Sequence, residues 1–104
     1  MVYEKDKIDF KFLDDSNYKL IKDLQKDIYT RNWNKDEIEH LLKKGGGQGL
    51  ILYLNKKPIG YCFFRNLVDE AEILSLEIKS KYRNKGFGLL LFKKVELYFA
   101  DKKI

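Results

Sequence analysis

The 104-residue chain predicts one α+β domain, residues 1–104, with a mostly antiparallel sheet. Three observations support this fold class. Short apolar runs show the alternation of strands, and other segments carry apolar residues at helical spacing. Polar and turn residues separate two adjacent apolar runs by only a few positions, which is typical of a hairpin. The predicted order of elements is β-α-α-β-β-β-α.

The first half of the chain predicts one strand and two helices. Residues 8–13 alternate apolar and polar side chains and indicate the first strand. The second helix begins at Asn34, which forms a variant of the capping box with Glu37. The first helix is indicated by four apolar residues at helical spacing: Leu20, Ile21, Leu24 and Ile28.

Glycine-rich residues 45–49 are predicted to end the second helix as a flexible cap and hinge, because glycine readily adopts the left-handed cap conformation. Two strands follow at 50–54 and 59–65, joined by the turn residues between them. A further strand is predicted at 71–78. The last helix follows residue 88 and continues to Asp101, with apolar residues recurring along one face.

The segment between the last strand and the last helix is the most informative part of the chain. Residues 83–88 read Arg-Asn-Lys-Gly-Phe-Gly. A glycine-bearing turn at a helix N-terminus offers several unpaired backbone N–H groups to one anion. Glycine lets the backbone approach phosphate oxygens, and Arg83 and Lys85 add positive charge. The placement therefore predicts a pyrophosphate-binding turn and a nucleotide-type cofactor.

Composition excludes several other classes of site. Cys62 is the only cysteine, so the chain can form no internal disulfide and no cysteine metal cluster. His40 is the only histidine, which argues against a metal site and against Ser-His catalysis. No run is long enough to span a membrane, and a reducing cytoplasm is the expected location. The net charge of +5 suits solubility or attraction to an anion.

The segment 82–88, placed between a strand and a helix, resembles the acetyl-CoA signature Q/R-x-x-G-x-G/A of the GNAT superfamily of N-acetyltransferases. Residues 71–78, Ala-Glu-Ile-Leu-Ser-Leu-Glu-Ile, resemble the fourth strand of that family. Residues 58–61 resemble its "G-x-x-V-G-Y" hairpin. The resemblance covers nearly the whole chain and is closest to the ribosomal-protein-alanine N-acetyltransferase type.

The resemblance implies acetyl-CoA as cofactor and a primary amine as acceptor, which attacks the acetyl group directly without a metal. The backbone of Leu76, Glu77 and Ile78 would pair with the pantetheine arm. A backbone N–H near Leu76 or Ile78 would polarise the thioester carbonyl. The pyrophosphate would be held by the turn and the first helical residues: Arg83, Asn84, Lys85, Gly86, Phe87, Gly88 and Leu89.

Direct attack requires a neutral amine, so a nearby base is expected. Glu72 is the predicted base, since a glutamate in a very similar Ala-Glu-Ile stretch has this role in the histone acetyltransferase branch. Strand alternation would place Glu72 on one face with Leu74, Leu76 and Ile78, where partial burial would raise its pKa. Glu77 is the second candidate.

Family members are about one and a half times as long as this chain. The resemblance therefore places a C-terminal β-α-β-β part outside it and leaves one edge of the fourth strand unpaired. Such an edge favours pairing with another chain. We expect either a homodimer or a complex with a separately encoded C-terminal half.

Two other functions remain open at this point. Residues 85–92, Lys-Gly-Phe-Gly-Leu-Leu-Leu-Phe, also resemble the RNP1 octamer of RNA-binding domains, which would require Phe87 to lie within a strand. The chain could also be a non-catalytic CoA-binding or interaction fragment. Trp33 is interpreted as a core anchor, although Tyr29, Arg31 and Trp33 could together line an acceptor groove. The acceptor could be a protein N-terminus, a lysine or a small amine.

Overall fold

The structure, a computed structural model, describes residues 5–14, 16–27, 32–44, 46–67 and 70–101. Its element order confirms the predicted α+β class, while Ile28 of the predicted first helix lies outside the described residues. The elements are β1 (Ile8–Phe12), α1 (Lys19–Gln25), α2 (Lys35–Lys43), β2 (Gly47–Leu54), β3 (Lys57–Asn66), β4 (Ala71–Ile78), a short 3-10 turn (Ser80–Tyr82) and α3 (Phe87–Asp101).

The four strands form one antiparallel sheet in the order β1-β2-β3-β4. Each strand pairs with its neighbour in sequence, with Ile8 opposite Leu54 and Gly60 opposite Ile78. β1 and β4 are thus the two edge strands of the sheet within the described residues, and β4 is the one that leads to the turn before α3. One of its edges pairs with β3, and the other has no strand beside it there.

The hairpin between β2 and β3 is tighter than predicted. Asn55 and Lys56 form a two-residue turn in which both φ angles are positive, at 49° and 71°. Such turns match the twist of the flanking strands, and asparagine tolerates the left-handed conformation well. Pro58 therefore lies inside β3, opposite Tyr53 and close to the beginning of the strand, where proline is accepted.

The glycine-rich segment confirms the predicted left-handed conformation at Gly46, where φ is 67°, but its last three residues belong to a strand rather than to a cap or hinge. β2 already begins at Gly47, and both Gly47 and Gly49 are buried. A Cβ atom at Gly47 would lie 2.1 Å from Leu41 Cδ1, and one at Gly49 would lie 2.9 Å from Leu13 Cδ2. These two glycines therefore let α2 and the β1–α1 connection approach the sheet closely.

α2 begins as predicted. The Asn34 side chain accepts a hydrogen bond from the Glu37 N–H at 2.8 Å, and the Glu37 side chain accepts one from the Asn34 N–H at 3.1 Å. This capping box satisfies one otherwise free N–H at the helix start and fixes the direction in which the chain enters α2.

The sheet separates two hydrophobic cores. α1 and α2 cover one face and α3 covers the other, and no helix in the described ranges is long and apolar enough to cross a membrane. The first core contains Leu13, Ile21, Leu24, Trp33, Ile38, Leu41, Ile51, Tyr53, Tyr61 and Phe63. The second contains Leu50, Leu52, Ile59, Cys62, Phe64, Ile78, Phe87, Leu91, Val95 and Phe99.

Candidate functional site

The segment predicted to bind an anion, residues 83–88, forms a turn that leads directly into α3. Asn84 and Gly86 have positive φ angles of 61° and 92°. Positive φ angles at two positions of a short turn change the direction of the neighbouring N–H groups, as in the turns by which backbone amides bind anions. The first backbone hydrogen bond of α3 runs from the Leu90 N–H to the Gly86 carbonyl at 3.1 Å. The N–H groups of Phe87, Gly88 and Leu89 therefore form no hydrogen bond within the helix. An anion beside the helix start can accept hydrogen bonds from them.

The turn is anchored to the second core by its last residues. Phe87 is 2% exposed, and its ring packs edge-on against Tyr82 with the centroids 6.2 Å apart. A Cβ atom at Gly88 would meet Leu76 Cδ2 at 3.7 Å and Ile78 Cγ1 at 3.9 Å, which are ordinary contacts. Position 88 thus faces the sheet, with room for glycine or alanine, and leaves the outer side of the turn free for a ligand.

The RNA-binding interpretation is wrong. Phe87 is the first residue of a 15-residue helix rather than a residue within a strand. Its ring is buried in the second core, so it cannot stack on a base as an exposed sheet aromatic does.

Positive charge surrounds the turn, but its two cations differ. The Arg83 Nε donates a hydrogen bond to the Ile78 carbonyl at 2.8 Å, so this side chain folds back onto the end of β4. Lys85 and Asn84 are exposed on the turn itself. The predicted cofactor-binding residues 83–89 are therefore contiguous in space, with Arg83 linking them to β4.

The backbone of β4 presents alternate residues to its open edge. The Lys79 N–H donates to the Ile59 carbonyl at 2.8 Å, which fixes the phase of the ladder. In an antiparallel pair, residues that bond across alternate with residues that point away. Glu77 therefore directs its peptide groups toward β3, whereas Leu76 and Ile78 direct theirs to the open edge. Of the three residues predicted to pair with a cofactor arm, Leu76 and Ile78 have the required orientation.

A β-bulge interrupts β4 before this point. Phe63 lies opposite Ser75, while the next residue, Phe64, lies opposite Ile73. Leu74 is thus the extra residue on β4, and such an insertion shifts the alternation of side chains beyond it.

The bulge corrects the predicted faces of β4. Leu74 packs against the first core, whereas Leu76 and Ile78 pack in or against the second. The expectation that Glu72 shares a face with Leu76 and Ile78 is therefore wrong. The alternation of side chains between the two faces is interrupted at Leu74. Even-numbered residues before the bulge therefore lie on the opposite face from even-numbered residues after it.

Glu72 instead forms an ion pair with the residue opposite it in β3. Its Oε1 lies 2.9 Å from Arg65 Nη2, and the two side chains are 39% and 38% exposed. The pair occupies one carboxylate oxygen and lies at the end of β4 away from the turn 83–88. Glu72 remains a predicted base, but without the apolar surroundings on which that prediction depended.

Glu77 has a different environment. It is half-buried and lies opposite Tyr61 in β3. The Tyr61 hydroxyl is buried and has no hydrogen-bond partner among the described residues. Burial, and secondly the charge of Glu77, raise the pKa of the Tyr61 hydroxyl well above its usual value. A phenol that keeps its proton thus lies near a carboxylate on the face covered by α1 and α2.

Trp33 is a core anchor, as interpreted from the sequence. It is 7% exposed, and its Nε1 donates to Ser75 Oγ in β4 at 2.9 Å. The Gln25 side chain donates to the Trp33 carbonyl at 2.9 Å and accepts from the Trp33 N–H. The other two residues of the possible acceptor groove, Tyr29 and Arg31, lie outside the described residues.

A cavity lies away from the predicted cofactor site. It measures about 780 Å³ and lies between α1 and α2, with Tyr18, Lys22, Trp33 and Lys35 among its walls. No residue of β4 or of the turn 83–88 lines it. The predicted cofactor surface is an exposed turn and a strand edge, so it is defined by backbone donors rather than by a cavity.

One contact of this region gave no signal in the sequence. The Asp27 carboxylate, just after α1, accepts hydrogen bonds from Ser80, just after β4. The two residues are 53 positions apart, and neither belongs to a recognisable motif.

Comparison with known proteins gives one family. Residues 18–104 match the model of the acetyltransferase (GNAT) family. A Bacillus subtilis (strain 168) protein, named as a candidate ribosomal protein bS18-alanine N-acetyltransferase, is 30% identical over 72 residues, which are 68% of this chain.

Solved structures show the same fold. A ribosomal-protein-alanine N-acetyltransferase from Escherichia coli superimposes with a TM-score of 0.74 at 13% identity, covering 86% of this chain. An Arabidopsis thaliana protein, solved in complex with the bisubstrate analogue CoA-Ac-MVNAL, gives a TM-score of 0.73 at 18% identity over 90% of this chain. The chain spans 48% of the Bacillus relative, 57% of the Escherichia coli chain and 65% of the Arabidopsis chain.

Proposed function

Because the chain belongs to the GNAT family of acetyltransferases, we propose that it takes part in acetyl transfer from acetyl-CoA to a primary amine. The observation that carries the proposal is the turn 83–88, whose backbone geometry suits a diphosphate and which lies beside the open edge of β4. When bound, acetyl-CoA supplies the acetyl group as an activated thioester.

The turn would hold the diphosphate part of the cofactor. Its positive φ angles at Asn84 and Gly86 and the free first turn of α3 supply N–H donors. Lys85 is exposed next to these donors and adds charge. A side chain at position 88 would point toward the sheet, so this position places no side-chain atom on the outer side of the turn.

The open edge of β4 would hold the cofactor arm. Leu76 and Ile78 direct their peptide groups outward, and an extended ligand can add to such an edge as a further strand does. We propose the Leu76 N–H as the donor that stabilises the negative charge developing on the thioester oxygen. The carbonyl of Ile78 already accepts from Arg83, which holds this end of the edge in place.

The acceptor amine must lose a proton before it attacks. Glu72 and Glu77 are the two proposed bases, and their contacts favour Glu77. Arg65 occupies one oxygen of Glu72, whereas Glu77 is half-buried beside the Tyr61 hydroxyl. An α-amino group has a pKa of about 8, so a protein N-terminus requires less assistance than a lysine, with a pKa of about 10.4.

A protein N-terminus is our preferred acceptor class. The support is that the Bacillus and Escherichia coli relatives are named as ribosomal-protein-alanine N-acetyltransferases, the former as a candidate. A cytoplasmic location belongs to the same proposal, since such an acceptor is made there.

Calorimetric titration with CoA tests the diphosphate site. Gly86→Asp should abolish measurable binding, because the added carboxylate faces the diphosphate at a position of positive φ. Gly86→Asn is the matched control, since asparagine has the same shape and tolerates this φ angle. It should bind more weakly than the parent and far more tightly than Gly86→Asp. Equal CoA affinity in parent and Gly86→Asp would overturn the proposal.

CoA binding without catalysis is the second candidate function. It requires only the turn 83–88 and the outward peptide groups of Leu76 and Ile78. An assay for free CoA thiol separates the two functions. Acetyl-CoA with an alanine-initiated peptide should release thiol only if the chain is a transferase, whereas CoA binding without thiol release would favour the fragment.

A further inference from the structure

The contact between Asp27 and Ser80 ties two distant parts of the chain together. The Ser80 N–H donates to Asp27 Oδ2 at 2.6 Å, and the Ser80 hydroxyl lies 3.0 Å from Oδ1 and 2.9 Å from Oδ2. Ser80 is the first residue of the 3-10 turn, where an N–H has no partner within the turn. A carboxylate is a strong acceptor for such a group.

The 3-10 turn leads directly into the cofactor turn. The Tyr82 N–H donates to the Lys79 carbonyl at 2.8 Å, and the Arg83 N–H donates to the Ser80 carbonyl at 3.2 Å. The ring of Tyr82 then packs against Phe87, the first residue of α3. A displacement of Ser80 would therefore be passed on to both ends of the segment 83–88.

The other end of the contact is attached to the first core. Asp27 follows α1, whose Ile21 and Leu24 are 0% and 2% exposed in that core. The hydrogen bonds from Ser80, and secondly the charges of Arg83 and Lys79, hold the pKa of Asp27 below its usual value.

We propose that Asp27 is a positioning residue for the cofactor: its carboxylate caps the 3-10 turn at Ser80 and thereby holds the N–H groups of residues 84–89 in the geometry that binds a diphosphate. This inference rests on the proposed CoA binding. Holding the donors in place before the ligand arrives lowers the entropy lost on binding.

Two variants test the inference. One removes the Asp27 carboxylate, and the other adds a proline at position 80 that makes the hydrogen bond between Asp27 and Ser80 unnecessary. Asp27→Ala should weaken CoA binding about tenfold, as expected if the binding geometry is populated about one tenth of the time. Asp23→Ala is the matched control, because Asp23 is an exposed carboxylate on α1 that forms an ion pair with Lys26 at 3.5 Å. It should bind CoA like the parent.

Ser80→Pro supplies the readout that a merely structural role would not move. Lys79 has φ −55° and ψ 142°, which is the extended geometry required before proline. Proline at the first position of a helical turn needs no N–H partner and fixes the φ angle itself. The double variant Asp27→Ala/Ser80→Pro should therefore recover the affinity of the parent.

Hydrogen exchange separates failure of this inference from failure of CoA binding. Without ligand, the amides of residues 84–89 should exchange faster in Asp27→Ala, while those of β2 stay unchanged. Asp27→Leu keeps a similar side-chain volume, has no hydrogen-bond acceptor and carries the same expectations if the alanine variant does not fold. The positioning role of Asp27 would be overturned if Asp27→Ala changed neither the amide exchange of residues 84–89 nor the CoA affinity. It would also be overturned if the double variant bound CoA as weakly as Asp27→Ala. A parent that binds no CoA, but shows the exchange difference, would overturn only the proposed function.

Discussion

At the scale of single residues, Arg65 separates the two candidate bases. Its guanidinium lies opposite Glu72 in the ladder and pairs with it. Glu77 has no arginine opposite it and lies instead against the Tyr61 side chain. Two glutamates on one strand therefore differ because of the residues that β3 presents to each.

We expect Glu77→Gln to lower kcat/KM for an amine acceptor by about 10²-fold or more, the contribution typical of a general base. Glu72→Gln is the matched control and should change it by about twofold or less, because it removes only a half-exposed ion pair. Steady-state kinetics between pH 6 and pH 9 measure both. The reverse order of effects would assign the base to Glu72.

Cys62 gives a second prediction at this scale. Burial raises the pKa of its thiol to about 12, whereas an unfolded cysteine has a pKa of about 8.5. The folded state thus keeps a proton that the unfolded state loses above pH 8.5. This contribution to stability is fully present below pH 8.5 and is lost as the pH rises toward 12.

Alkylation follows from the same burial. At pH 8 iodoacetamide should modify native Cys62 only after unfolding, so the rate should rise steeply across the urea transition. In urea melts between pH 8 and pH 10, Cys62→Ala should lose stability less steeply with pH than the parent. Rapid stoichiometric alkylation of the native protein would contradict this assignment.

At the scale of elements, the close approach of α2 to β2 determines which glycine cannot be replaced without loss of stability. Gly47 is the first residue of β2, an inner strand of the sheet, and Leu41 of α2 lies against it. Gly88 lies in the first turn of α3 and leaves space for a methyl group. Both occur in glycine-rich segments, but only the first is required by packing.

Gly47→Ala should lower the free energy of unfolding by about 1–3 kcal/mol, since its Cβ would lie 2.1 Å from Leu41 Cδ1 and the core must shift. Gly88→Ala should be neutral or stabilise by up to about 1 kcal/mol, because alanine is the better helix former. Urea titration measures both. Equal stability of the two variants would show that the Gly47 contact relaxes at no cost.

At the scale of the whole molecule, the sheet is covered on both faces and has two edge strands, β1 and β4. Neither has a further strand on its outer side in the described ranges. Ile73 on β4 is 38% exposed, and Leu89 and Phe92 on α3 are 58% and 39% exposed. The part of the β4 edge around Ile73 is the surface on which we propose that a second copy pairs, which leaves the outward peptide groups of Leu76 and Ile78 to the cofactor arm.

Self-association through this edge should raise the light-scattering mass with concentration. Ile73→Lys should keep the protein monomeric, because a charge on an edge strand opposes pairing. Leu97→Lys is the control: Leu97 is 62% exposed on α3, away from the edge, and its variant should associate like the parent. The net charge of +5 predicts stronger association at higher salt. A monomeric parent at every concentration and salt would remove the homodimer.

The sequence by itself determined the features that depend on neighbouring residues. Hydrophobic periodicity predicted the element order, Asn34 and Glu37 predicted the start of α2, and the residue pattern at 83–88 predicted the turn before α3. Each is set within a few positions, since a cap, a turn or one face of a helix is formed by nearby side chains.

Only the tertiary structure decided the features that depend on distant residues. The bulge at Leu74 is set by the register between β3 and β4, so alternation alone placed Glu72 with the wrong neighbours. Gly47 became a packing position because Leu41 lies across it. Asp27 meets Ser80 across 53 positions because α1 packs on the same sheet whose last strand ends at Ile78. Such contacts arise from how elements dock, and no local pattern encodes them.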